Sequence, residues 1–144
     1  SCYRMSAPFR PPQDAPAMQI NDPATLAEVT ALVERYEQVL GENDVTALDA
    51  MFWASEAVIR FGVGENLYGQ SEIAQFRRTR AGGSPPRVVR RMEITTFGTD
   101  FATANVEFQR VGSTKIGRQS QSWVRLPEGW RVVAAHVSLM ADVS

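Results

Sequence analysis

Residues 87–140 read RVVRRMEITTF GTD FATANVEFQRV GST KIGRQSQSWVRL PEG WRVVAAHVSLM, and this stretch decides the fold. Four long segments rich in β-branched and aromatic residues, roughly Arg87 to Phe97, Phe101 to Val111, Ile116 to Leu126 and Trp130 to Met140, read as strands. The connections Gly98-Thr99-Asp100, Gly112-Ser113-Thr114 and Pro127-Glu128-Gly129 are too short for a crossover. Consecutive strands must therefore be antiparallel neighbours, a meander.

Upstream the period changes. Asp22 caps a helix with Pro23 at its first position. Leu26, Val29, Val33, Tyr36 and Leu40 then follow at spacings of three and four, one apolar stripe ending near Gly41. Asp44 caps a shorter helix, Val45 to Phe52, with Leu48, Met51 and Phe52 inward. Ala57 to Gly62 reads as a short strand, and GVGENLYG as a glycine-rich loop with neither a GxGxxG nor a GxxxxGK pattern. A third helix is expected from Ser71 to about Arg80, with Ile73 and Phe76 inward, before AGGSPP breaks the chain. Helices early and strands late predict an α+β fold, with the helices on one face of a curved antiparallel sheet. Such a sheet closed by helices is a cone, and its open mouth is the natural pocket.

The chain has 144 residues and a formal net charge of −1, with 44% hydrophobic and 22% charged residues. These values fit one globular domain and disfavour disorder and phosphate-backbone binding. No apolar run approaches the ~20 residues of a membrane-spanning helix. Residues 1–17, SCYRMSAPFRPPQDAPA, are expected to be a flexible proline-rich tail, or residues ahead of a natural start at Met18, and residues 18–144 a single domain. Cys2, the sole cysteine, lies in that tail and is a poor catalytic candidate; a cytoplasmic setting is the simpler reading. One histidine and no HExxH, CxxC or GxSxG pattern give no support for a metal or a serine nucleophile.

Several polar residues fall where a pocket is expected. Tyr36 lies on the apolar stripe, so its ring faces inward and its hydroxyl needs a partner. Arg60 sits between Ile59 and Phe61, sharing a face with Val58. It either reaches outward or is held inside as an anion receptor, since a guanidinium fork matches a carboxylate. His136, the only histidine, is placed by alternation with Val132, Ala134, Ser138 and Met140. Arg118, Ser120 and Ser122 share one face of their strand, Gln119, Gln121 and Trp123 the other. Glu107 shares a face with Asn105 and Gln109 and is a candidate partner for an arginine. Arg77, Arg78, Arg80, Arg87, Arg90 and Arg91 form a basic concentration that either steers an anionic substrate or is a solvated face.

The stretches VIRFGVGENLYG, ITTFGTDFATANVEFQR, GRQSQSWVR and GWRVVAAHVSLM resemble the AtzH-like group, also called oxalurate-catabolism HpxZ-like proteins, within the SnoaL-like, nuclear-transport-factor-2-like superfamily. The resemblance covers roughly Met18 to Met140 and implies a cone-shaped α+β barrel and a homodimer packed through the sheet. It implies a decarboxylating amidohydrolase that converts 1,3-dicarboxyurea to allophanate in cyanuric acid or related ureide breakdown; that chemistry requires no cofactor, because the adjoining carbonyl stabilises the electron pair left on nitrogen. It assigns catalysis to a tyrosine on the first helix and an arginine on the first strand, here Tyr36 and Arg60. Arg118, His136 and Glu107 are the candidates for substrate binding. Two other readings stay open: a non-catalytic anion binder or accessory subunit of a partner amidase, and another enzyme on the same scaffold with His136 or a carboxylate as base.

Overall fold

The computed structural model describes Pro8 and residues 17–141. Most of the proline-rich start, including Cys2, lies outside the described residues.

Helix α1 spans Pro23–Gly41. Its N-cap is Asp22, whose carboxylate accepts from Thr25 N at 3.1 Å and Thr25 Oγ1 at 2.7 Å. The expected stripe is buried at Val29, Val33, Tyr36 and Leu40, with Val39 added; Leu26 is only half-buried. Helix α2 spans Val45–Met51, capped by Asp44, which accepts from Ala47 N. Helix α3 spans Gln70–Thr79 and buries Ile73, Ala74 and Arg77. Among the described residues no helix is long and apolar enough to cross a membrane.

The strands are β1 (Ile59–Phe61), β2 (Asn66–Tyr68), β3 (Arg87–Phe97), β4 (Phe101–Arg110), β5 (Ile116–Leu126) and β6 (Gly129–Leu139). They form one sheet in the order β2-β1-β6-β5-β4-β3. The predicted meander is present with its expected tight turns. Two features differ from the sequence reading. The loop GVGENLYG contains β2, antiparallel to β1; it is too short to show a period-two pattern. And β1 joins the far end of the meander, parallel to β6, with Arg60 opposite Ala135.

Register shifts at Val89/Arg91 in β3 and Ser122/Trp123 against β6 bend the sheet. The second shift leaves Val133 without a partner, since Trp123 pairs with Val132 but Ser122 with Ala134. The extra residue reverses the alternation of β6. Val132 is buried, and beyond the bulge so are Ala135 and Val137, whereas His136 is exposed. The core lies between the helices and the inner face of the sheet, around Val29, Val33, Trp123, Trp130 and Val132. The segment before α1 secures the β3 edge: Asn21 N donates to Thr96 O, and Gly98 N donates to Gln19 O.

Gly117 lies opposite Phe108 across β4 and β5, and a Cβ there would overlap the end of the Phe108 ring. That ring is fully buried and carries the Arg87 guanidinium 4.2 Å from its centroid, so it has nowhere to retreat. Gly117→Ala is expected to destabilise the fold by about 1–3 kcal/mol, read as a lower urea midpoint at unchanged slope.

The Thr25 hydrogen bonds hold the Asp22 carboxyl below the usual aspartate value. A carboxyl depressed in the folded state contributes stability above its unfolded value, and that contribution disappears as pH falls through the folded one. In denaturation series from pH 6 to pH 2, the difference between wild type and Asp22→Ala should be constant at the upper end and shrink below about pH 4.

Candidate functional site

Five arginines enter the space between the helices and the inner face of the sheet. Three have a carboxylate partner. Arg60, on β1, places Nη1 3.1 Å from Glu65 Oε1. Arg77, on α3, places Nη1 2.7 Å from Asp49 Oδ1 and stacks 4.3 Å from the Phe52 centroid. Arg87, on β3, pairs with Glu37 of α1. The other two, Arg80 just past α3 and Arg110 ending β4, make no ion pair among the described residues. Each lies against an aromatic ring instead, Arg80 5.1 Å from the Phe76 centroid and Arg110 5.9 Å from that of Phe108. Phe76 also carries Arg60, at 5.5 Å.

Arg60, Glu65, Phe76, Arg80, Arg110 and Val137 line a cavity of about 310 Å³ at the open end of the cone. Arg60 is inward because its register partners, Leu67 and Ala135, are both inward-facing and buried; it is 9% exposed. Arg80 extends from the end of α3, where the chain leaves the helix with extended backbone. The turn that follows uses left-handed backbone at Gly82 and Gly83. Asn43 Oδ1 ties that turn to the α1–α2 connection by accepting from Ser84 N at 2.9 Å. Burial, and next the like charge of Arg60, hold the Arg80 guanidinium below the usual arginine value, while Glu65 and Tyr36 act in the opposite direction. Its Nε is buried without a hydrogen-bond partner. An unsatisfied buried donor costs about 1–3 kcal/mol, so the group is prepared for an acceptor.

Tyr36 is 3% exposed and lies deeper. It is absent from the cavity wall, and Arg80 lies within electrostatic reach of both Tyr36 and Arg60. Gln119 Nε2 donates to Tyr36 Oη at 3.2 Å, and Arg87 Nη2 donates to Gln119 Oε1 at 2.6 Å. This chain has one permitted polarity. A guanidinium only donates, so Gln119 must present its oxygen to Arg87 and its amide N–H to Tyr36. The phenol oxygen is thereby an acceptor toward Gln119, and its own proton is left for another group.

The remaining expected binding residues lie elsewhere. Glu107, Arg118 and His136 are exposed on the outer face of the sheet. Glu107 and Arg118 are register partners, as are Ser120 and His136. His136 meets the Phe61 ring edge-on at 5.7 Å. The structure thus places Arg60 at the cavity and Tyr36 behind it, and separates the other three from both. Sharing a face with Val132 would have turned His136 inward; the Val133 bulge prevents that. Gln119 was legible only as sharing a strand face with Trp123; neither its inward side nor its partners were. Arg80 and Arg87 were visible only as part of a basic concentration, and Arg110 and Glu65 had no signal. Among the described residues no cluster of His, Cys, Asp or Glu could hold a metal ion.

A bent, mostly antiparallel sheet with helices on its inner side and a polar hollow at one end is the NTF2-like, or cystatin-like, architecture. A nuclear transport factor 2-like superfamily protein from Salmonella enterica shares that fold at 24% identity and TM-score 0.66, over 84% of this chain and 94% of its own. Within that class the chain belongs to the AtzH-like family, whose model matches residues 18–143. It is 55% identical to a DUF3225-family protein of unknown function from Pectobacterium atrosepticum, with TM-score 0.82 over 85% of this chain and 95% of that one. It is 42% identical to a cystatin-like fold protein from Burkholderia xenovorans, also with TM-score 0.82, over 88% and 100%. No curated protein matches it.

The Tyr36–Gln119–Arg87 chain predicts coupling. Gln119→Leu should cost about 1–3 kcal/mol, because it strips a buried phenol and part of a buried guanidinium of their partner. Tyr36→Phe should cost less in the Gln119→Leu background than in wild type, with a coupling of about 1 kcal/mol in a double-mutant cycle by urea denaturation.

Proposed function

We propose that this chain is a cofactor-independent decarboxylating amidohydrolase that converts 1,3-dicarboxyurea to allophanate. The observation that carries the reading is the buried Arg60, facing a small cation-rich cavity in a member of the AtzH-like family. Arg60 binds one carboxylate of the substrate, and the low-polarity surroundings strengthen that attraction. The bond between the nitrogen and the departing carboxylate breaks. Its electron pair stays on nitrogen, delocalised into the adjoining carbonyl, and carbon dioxide leaves. The nitrogen takes one proton, from Tyr36 or from a water that Tyr36 holds. The dianion plus one proton thus becomes the allophanate monoanion plus carbon dioxide. Gln119 supports this role for Tyr36 by occupying the phenol oxygen as an acceptor and leaving its proton to be donated. In the same reading two copies pair through the outer face, where Glu107, Arg118 and His136 sit.

One observation favours a second reading, a small-anion binder or accessory subunit of a partner amidase. Tyr36 does not line the cavity. The two readings separate in steady-state kinetics on the purified protein with dicarboxyurea. The enzyme reading expects turnover that Arg60→Ala abolishes through lost binding. It expects Tyr36→Phe to lower kcat by about 10²–10⁴-fold with a smaller change in KM. Absence of turnover by the isolated wild type, with activity appearing only beside an amidase, supports the second reading.

A further inference from the structure

We infer that Arg80 and Arg110 form a receptor for a second carboxylate, so that the cavity selects small dicarboxylates over monocarboxylates; this rests on the small-anion reading of the same site. Three arginines line the cavity, and Glu65 is the carboxylate among them. Glu65 is already paired with Arg60. The formal charge of the wall is therefore +2, that of a bound dicarboxylate with the sign reversed.

The two unpaired cations are fixed by different elements. Arg80 leaves the end of α3, and Arg110 ends β4. Elsewhere in the interior the fold supplies each guanidinium with a carboxylate partner, Asp49 for Arg77, whose Nη2 still lacks an acceptor, and Glu37 for Arg87. At Arg80 it supplies none, and the Arg80 Nε is buried with its proton unaccepted. Surface arginines satisfy such donors with water, but this nitrogen is shut off from solvent. A ligand oxygen arriving in the cavity is the acceptor that the geometry lacks. Arg60 and Arg80 both lie within about 5.5 Å of the Phe76 centroid, so one short molecule can meet both. Holding the substrate at two carboxylates also fixes its scissile bond, since a single anchor leaves it free to rotate.

The test uses two stable probes of equal carbon count, glutarate with two carboxylates and pentanoate with one, titrated calorimetrically into the full chain. Wild type is expected to prefer glutarate by about tenfold or more, the usual weight of one charge-assisted contact. Arg80→Gln should weaken glutarate by that factor, weaken pentanoate less and bring the preference close to one. Arg110→Gln should act in the same direction, and Arg60→Gln should weaken both probes. Thermal midpoints near that of wild type confirm that the Arg80 and Arg110 variants are folded. If wild type prefers glutarate and Arg80→Gln keeps the full preference, the inference is overturned while the small-anion reading stands. If wild type binds neither probe and does not turn over dicarboxyurea, both fall together.

Discussion

A guanidinium cannot be dehydrated without replacing the water it loses, and the interior of this protein is arranged around that requirement. Arg77 lies on the Phe52 ring and reaches Asp49; Arg87 lies on the Phe108 ring and reaches Glu37. The ring supplies a face that accepts the flat cation, and the carboxylate supplies the charge. Each pair ties a helix to another element: Asp49 joins α2 to α3, and Glu37 joins α1 to β3. Removing one partner from such a pair exposes the full cost of the other, which makes these contacts stricter constraints on the packing than the apolar side chains around them. The cavity differs in a single respect, that two of its three cations were left without acids.

The same reasoning orders the groups behind the cavity. Arg87 fixes which end of the Gln119 amide points at it, and the amide fixes which partner the Tyr36 hydroxyl meets. A charge on β3 thus sets the direction of a proton on α1, through a side chain on β5. Phe108 and Gly117 enter this chain indirectly, because the ring that supports Arg87 occupies the space that Gly117 leaves empty. Positions that look like ordinary sheet packing therefore hold the polar groups in place.

Much of the architecture was legible because it rests on local rules. The stripe from Val29 to Leu40, the caps Asp22 and Asp44, and the short connections of the meander each declare themselves within a few residues. What was not legible depends on register between distant segments. β2 is too short to display a pattern. The parallel pairing of β1 with β6 brings together residues far apart in sequence. The Val133 bulge cannot be recognised in VVAAHV, since any of its small residues could be the extra one; strict alternation therefore assigns His136 to the wrong side. The apolar neighbours of Arg60 left its side open, and only the pairing with Leu67 and Ala135 turns it inward. The isolation of Arg80 and Arg110 is a property of what does not stand beside them, which no single stretch of sequence records.

The parallel joint between β1 and β6 also governs the order in which this molecule can assemble. β1 has only β2 and β6 beside it, and an isolated hairpin of such short strands is marginal in water. During synthesis α1 and α2 emerge early, but Arg60 has no lasting place until the residues opposite it, around Ala135, have left the ribosome. The long separation makes that joint entropically costly and slow to close. A nascent chain therefore carries Arg60 on a loose segment until β6 is available to pair with it, and the cavity that Arg60 lines closes in one late step rather than growing with chain length.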